Sequence, residues 1–103
     1  QLVNVIIEVV KRYENLSFSF GSRILFSILS GEETTLIKNF KMNKNKWFGV
    51  IIPDDRDKFY AVLKALKEAK VIDINYNNYG KITVLKDRLV VNDYKIVYSL
   101  IKI

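Results

Sequence analysis

A chain of 103 residues, half of them hydrophobic, holds enough for one packed domain and too little for two. It contains no cysteine and no histidine, which excludes disulfides, thiolate or histidine-ligated zinc, and Ser/His/Asp catalysis within it. A formal net charge of +6 favours polyanion partners, through phosphate contacts and counterion release.

Leu2, Val3, Val5, Ile6, Ile7, Val9 and Val10 recur at helical spacing, and Lys11 and Arg12 fall in the last turn, where cations suit the helix dipole. This predicts a first helix ending near Glu14 and Asn15. The chain begins at Gln1 with that pattern already under way, as a piece of a longer protein would. Residues 16–21 form a connector. Ser22 reads as the N-cap of a second helix over 23–29, stopped at Ser30 and Gly31. Glu32, Glu33, Thr34 and Thr35 open a third helix with acids in its first turn, and Leu36, Ile37 and Phe40 form its buried side. Residues 42–49 read as a polar-aromatic loop, and Val50, Ile51 and Ile52 as a short extended run stopped by Pro53. Asp54 or Asp55 caps a fourth helix. Phe59, Val62, Leu63, Leu66 and Ala69 make its apolar stripe, and Lys64, Lys67 and Glu68 its wet face.

Residues 71–88 are the most informative stretch. Two β-rich arms flank a turn of Asn75, Tyr76, Asn77, Asn78, Tyr79 and Gly80, and Asn and Gly tolerate the positive φ that tight hairpins need. A further β-rich run follows: Leu89, Val90 and Val91, then 94–103, whose last part fits either a strand or a short helix. There is no internal repeat, no low-complexity tract, no apolar run of membrane-spanning length and nothing resembling a signal peptide. The order predicts one α+β domain over 1–103, with three to four helices, a hairpin and an extra β-rich C-terminal tail. Helix followed by hairpin is the wing arrangement of winged-helix domains.

The segment from Phe20 and Gly21 through Gly31 resembles the opening of the RQC domain of RecQ-family DNA helicases. Thr35 to Phe40 is similar to that family's next helix, and Phe48 with Gly49 stands where it has an aromatic-glycine pair. The run from Lys58 to Leu66 resembles its Trp-containing helix, and Ala69, Lys70, Val71 and Ile72 stand where Leu-Gly-Leu-aliphatic is usual. The likeness covers about residues 5–85. Lys41 and Met42 replace a frequent Gly-His, and Lys70 replaces a helix-ending glycine. Beyond Leu85 nothing aligns. The zinc module and ATPase motifs of such helicases are missing, as is any phosphate-cradling Gly-rich loop. The chain then corresponds to the RQC portion alone, or to a stand-alone relative.

Ser22 and Arg23 sit at a helix start, where free backbone N–H groups suit a phosphate. The resemblance implies such a contact; a plain cap beside a solvated arginine is the equal alternative. Lys38 and Lys41 lie three apart on one face of the third helix, and Lys44 and Lys46 extend the strip. The absence of acids over 38–46 favours contact over a merely solvated face. Phe48 reads as core, and Trp47 is open between core and base stacking. The resemblance implies a strand-separating role at the hairpin tip and puts Tyr79 in the matching position; Tyr76 reads as packing sideways on the hairpin. Lys81, Lys86 and Arg88 are expected to clamp phosphates beside the tip. Asp54, Asp55 and Asp57, like Glu32 and Glu33, suit helix starts rather than catalysis.

The expected function is therefore non-catalytic: binding of duplex ends, forks or junctions, with no cofactor in this chain. ATP and Mg are expected only in motor domains of the same polypeptide, no membrane is involved, and the setting is the nucleoid or the nucleus. Two other readings remain. One is a sequence-specific winged-helix regulator that dimerises on a palindrome through the tail. The other is a protein-interaction module offering the tail as a sheet edge.

Overall fold

Near-continuous burial defines α1 (Leu2–Tyr13): seven of its side chains are buried, and only Asn4, Glu8, Lys11 and Arg12 face water. A computed structural model describes residues 2–101, so Gln1, Lys102 and Ile103, the last two part of the expected tail, lie outside the described residues. Helices α2 (Ser22–Ser30), α3 (Thr35–Asn39) and α4 (Arg56–Glu68) follow, then strands β1 (Ile72–Asn75) and β2 (Lys81–Val84), then α5 (Val91–Leu100). The core joins Ile6, Val9 and Val10 of α1 to Leu25, Ile28 and Leu29 of α2. Ile37, Met42, Phe59, Leu66, Ile72, Ile82 and Val97 complete it. The chain is thus α+β, with helices packed around a two-stranded antiparallel hairpin as in a winged helix.

The hairpin pairs Ile72 with Val84, Asp73 with Thr83, Ile74 with Ile82 and Asn75 with Lys81. Side chains alternate across a strand, so the Ile72–Val84 and Ile74–Ile82 pairs turn toward the body and the polar pairs turn away. The connector before α2 lies along β2, where the N–H of Ile82 donates to the carbonyl of Phe20 at 2.9 Å. Phe20 itself is buried against Tyr13.

Several local expectations are corrected. Gly21, not Ser22, takes the cap position of α2, and no side chain caps that helix. The reason is close approach: a Cβ on Gly21 would stand 3.3 Å from the carbonyl oxygen of Gly80, so the hairpin tip rests where a side chain would be. Helix α3 starts at Thr35, capped by the Thr34 hydroxyl, which accepts the N–H of Ile37; Glu32 and Glu33 precede it. Phe40 is exposed rather than buried and packs on Phe18, with ring centroids 4.9 Å apart. Pro53, Asp54 and Asp55 form a single 3₁₀ turn, and the Asp55 carboxylate reaches back to the N–H of Ile52.

The tail is the largest difference. Residues 91–100 are helical, the short-helix form left open for the last part of the tail, so the β-rich run and its sheet edge do not form there. Asp93 accepts the N–H of Val90 at 3.0 Å and the ammonium of Lys86 at 3.0 Å, which anchors the first turn. Val97 is buried, and the Tyr94 hydroxyl donates to Asn4 on α1 at 2.6 Å. Tyr94, Val97 and Ile101 stand three and four apart, a helical spacing that the β-branched composition hides.

Candidate nucleic-acid interface

Helix α4 runs almost directly into β1, so the hairpin folds back beside the face of α4 that carries Lys64 and Lys67. The loop of the hairpin is built from its own polar groups. Asn75 accepts the N–H of Asn77 through its side chain, and its carbonyl accepts the N–H of Gly80 at 2.9 Å. Tyr76, Asn77 and Asn78 form a 3₁₀ turn, and the left-handed positions fall on Tyr79 (φ 55°) and Gly80 (φ 74°). The positive φ expected of Asn and Gly falls on Gly80 but on no asparagine; Tyr79 takes the other such position, and Asn75 spends its side chain on the turn. The tip is tied to the body by the hydroxyl of Ser19, which donates to Asn78 at 3.0 Å.

This geometry leaves Tyr79 92 % exposed and Tyr76 71 % exposed. Tyr76 is not packed flat on the hairpin; the ammonium of Lys67 stands 5.1 Å from its ring centroid. Ser22, Arg23, Tyr76 and Tyr79 share a cleft of about 740 Å³ between the start of α2, α4 and the hairpin tip. Ile24, Leu63 and Ile74 supply its apolar lining. Lys64 and Lys67 also line it, and sequence reasoning treated both only as a wet face. Their spacing of three marked one side of α4, but nothing in a helical period says what stands opposite that side.

The other expected contacts lie elsewhere. Helix α3 ends at Asn39, and Lys41 takes a left-handed conformation (φ 56°), so Lys38 and Lys41 do not share a helix face. The chain turns there to bury Met42. Lys38 stays exposed on α3, whose Thr34, Leu36 and Ile37 border a groove with Arg23. Lys44 and Lys46 instead join Arg12, Glu8 and Trp47 around a separate depression. There the Lys46 ammonium lies 4.8 Å from the half-buried Trp47 ring. Phe48 is half-buried beside Gly31. Lys81 adjoins the tip. Lys86 and Arg88 follow the far end of β2, with Lys86 held by Asp93 and Arg88 beside Asn4, Glu8 and Tyr94.

A model of the RQC domain matches residues 1–93. The chain belongs to the RQC domain family. No curated protein and no solved structure gives a match. An RQC domain is a non-catalytic, DNA-binding accessory domain of RecQ helicases, and the wing of this RQC domain is the β1–β2 hairpin. No helix among its described residues is long and apolar enough to cross a membrane.

Proposed function

We propose that this RQC domain holds the end of a DNA duplex, at a fork or junction, by its backbone, and sets Tyr79 against the last base pair. The observation that carries this reading is the 92 % exposed ring of Tyr79, on a tip that rests against the uncapped start of α2 and beside Arg23. The first N–H groups of α2 have no side-chain acceptor and suit a phosphate oxygen. Ser22 and Arg23 add hydrogen bonds to that phosphate, and Lys81 lies along its continuation. Lys38 and Lys41 are exposed point charges that raise the local potential.

An aromatic ring under a base contributes about 1–3 kcal/mol. Opening one terminal step costs on the order of 1.4 kcal/mol of stacking. Tyr79 thus offsets fraying of the end pair without an energy source of its own. Motor domains in the same polypeptide, with their ATP and Mg, supply directionality. That role places the protein with chromosomal DNA, in the nucleoid or the nucleus. Helix α3, five residues or little more than one turn long, presents too few side chains on one face to supply the roughly three or four base contacts of a recognition helix, which weighs against a sequence-specific regulator.

Fluorescence-anisotropy titration of the chain against a fork, a single strand and a long blunt duplex, at two salt concentrations, tests the reading. The fork binds tighter than the blunt duplex, whatever its sequence. Equal affinity for fork and blunt duplex would defeat the proposal.

A further inference from the structure

We infer that the cleft between α2, α4 and the hairpin receives the first one or two unpaired nucleotides of the strand that Tyr79 parts from the duplex end; this rests on the function proposed above. Tyr79 stands at the mouth of the cleft and Tyr76 lies within its lining, so a base pushed off its partner at Tyr79 meets the cleft next. Ile24, Leu63 and Ile74 give it an apolar surface suited to the flat face of a base. Arg23, Lys64 and Lys67 surround that surface against one acid, Glu68, so the lining carries a positive excess. A strand of alternating apolar faces and phosphates matches that pairing of floor and rim.

Among the cleft's cations Lys67 is the one set deepest, half-buried beside Tyr76. Its ammonium lies over the largely exposed Tyr76 ring, which keeps the cation and the ring side by side along the lining of the cleft. A phosphate entering there meets a cation already in place, and the base beside it meets the Tyr76 ring. At about 740 Å³ the space falls within the roughly 300–1,000 Å³ of ordinary ligand sites, room for a nucleotide or two and too little for a duplex. Gly21 and Gly80, which approach each other closely, also border the cleft.

Two measurements on the intact chain test this. In the first, a four-nucleotide oligothymidine is titrated while backbone amide NMR signals are followed. Shifts concentrated at Ile24, Leu63, Ile74 and Tyr76 are expected; shifts concentrated at Arg12, Lys46 and Trp47 would overturn the assignment. In the second, a blunt duplex is compared with the same duplex bearing a four-nucleotide overhang. The wild-type chain gains about fivefold or more from the overhang. The double variant Lys64→Gln/Lys67→Gln loses that gain while its blunt-duplex affinity stays within about twofold, and the salt slope of overhang binding falls by about 1.4, for two single-strand phosphates. Retention of the full overhang gain by the double variant would sink the inference. Glu68→Gln binds the overhang duplex about two- to threefold tighter, a gain that misfolding does not produce. A wild-type chain indifferent to duplex ends defeats the function reading instead, and the cleft then stands or falls on the oligothymidine shifts.

Discussion

Among the described residues, three other than glycine adopt left-handed backbone: Lys41, Lys70 and Tyr79. Each costs about 1–2 kcal/mol relative to a glycine there, from the Cβ crowding the carbonyl. At Lys70 the strain serves a helix end. The N–H of Val71 donates to Leu66 and that of Lys70 to Lys67, closing α4 in the pattern that normally ends on glycine. Lys70→Gly relieves the strain at a smaller loss from the freer unfolded chain, a net gain of about 0.5–1 kcal/mol. A thermal melt should therefore rise by a few degrees, at about 4–8 °C per kcal/mol for a domain of this size. A lowered midpoint would mean that the Lys70 side chain holds something the strain estimate omits. At Tyr79 the left-handed backbone closes the hairpin turn, a task glycine performs without strain, and the ring itself is in water. Tyr79→Gly is expected to melt no lower than wild type yet to bind a fork about fivefold or more weakly, through loss of one stacked base. A clear drop in the melt would show that the ring supports the body of the protein, and the wedge role would fall with it.

Helices α1, α2 and α4 were legible in sequence because each carries an apolar stripe long enough to set its period, and the hairpin arms were legible because Ile72, Ile74, Ile82 and Val84 alternate. α5 was legible only as one of two forms, strand or short helix, since Val90, Val91, Ile96 and Val97 carry strand propensity and the contacts that dock it, the burial of Val97 and the Tyr94 hydroxyl on Asn4, are remote in sequence. Its first turn is fixed locally by Asp93, which holds the N–H of Val90 and the ammonium of Lys86, just past the end of β2. Those two partners, the backbone N–H foremost and Lys86 next, hold the Asp93 carboxyl below its usual range. A carboxyl depressed in the folded state binds its proton more readily when unfolded. Its contribution is therefore complete above the ordinary aspartate range near pH 4, and is lost as pH falls through the lower folded value. Asp93→Asn removes that dependence. Melting temperatures followed downward from neutral pH should fall less in Asp93→Asn than in wild type, while the variant starts from a lower value at pH 7. Parallel curves for the two proteins would mean that α5 docks through Val97 and Tyr94 alone.

At the scale of the whole molecule, the sequence supplied a net charge of +6 and a set of basic residues, but not their grouping. Helical period and loop composition say which side chains are wet; only the packing of α4 against the hairpin says that Lys64 and Lys67 face Tyr76 and Arg23. The same packing separates Lys44 and Lys46, which gather with Arg12, from Arg88 beside α1 and from Lys86 in its ion pair. A body of 38 × 28 × 22 Å does not present all of these to one short stretch of backbone. The grouping can be counted in solution. Each duplex phosphate neutralised adds about 0.9 to the fall of log K with log salt. If Arg23, Lys38, Lys41 and Lys81 alone meet duplex phosphates, the slope for a blunt duplex, which leaves the cleft's lysines without a strand, lies at about −3.6, whereas engagement of every basic candidate, including Lys44, Lys46, Lys86 and Arg88, would take it to about −7. Titrations between about 50 and 200 mM salt resolve the two. Arg23→Gln should lower the slope by about 0.9, and Lys44→Gln/Lys46→Gln should leave it unchanged. A slope near the larger value, or one that drops with the Lys44 and Lys46 changes, would mean that duplex runs across the Trp47 side as well, and that the tip of the hairpin is one edge of a broader surface rather than the centre of a narrow one.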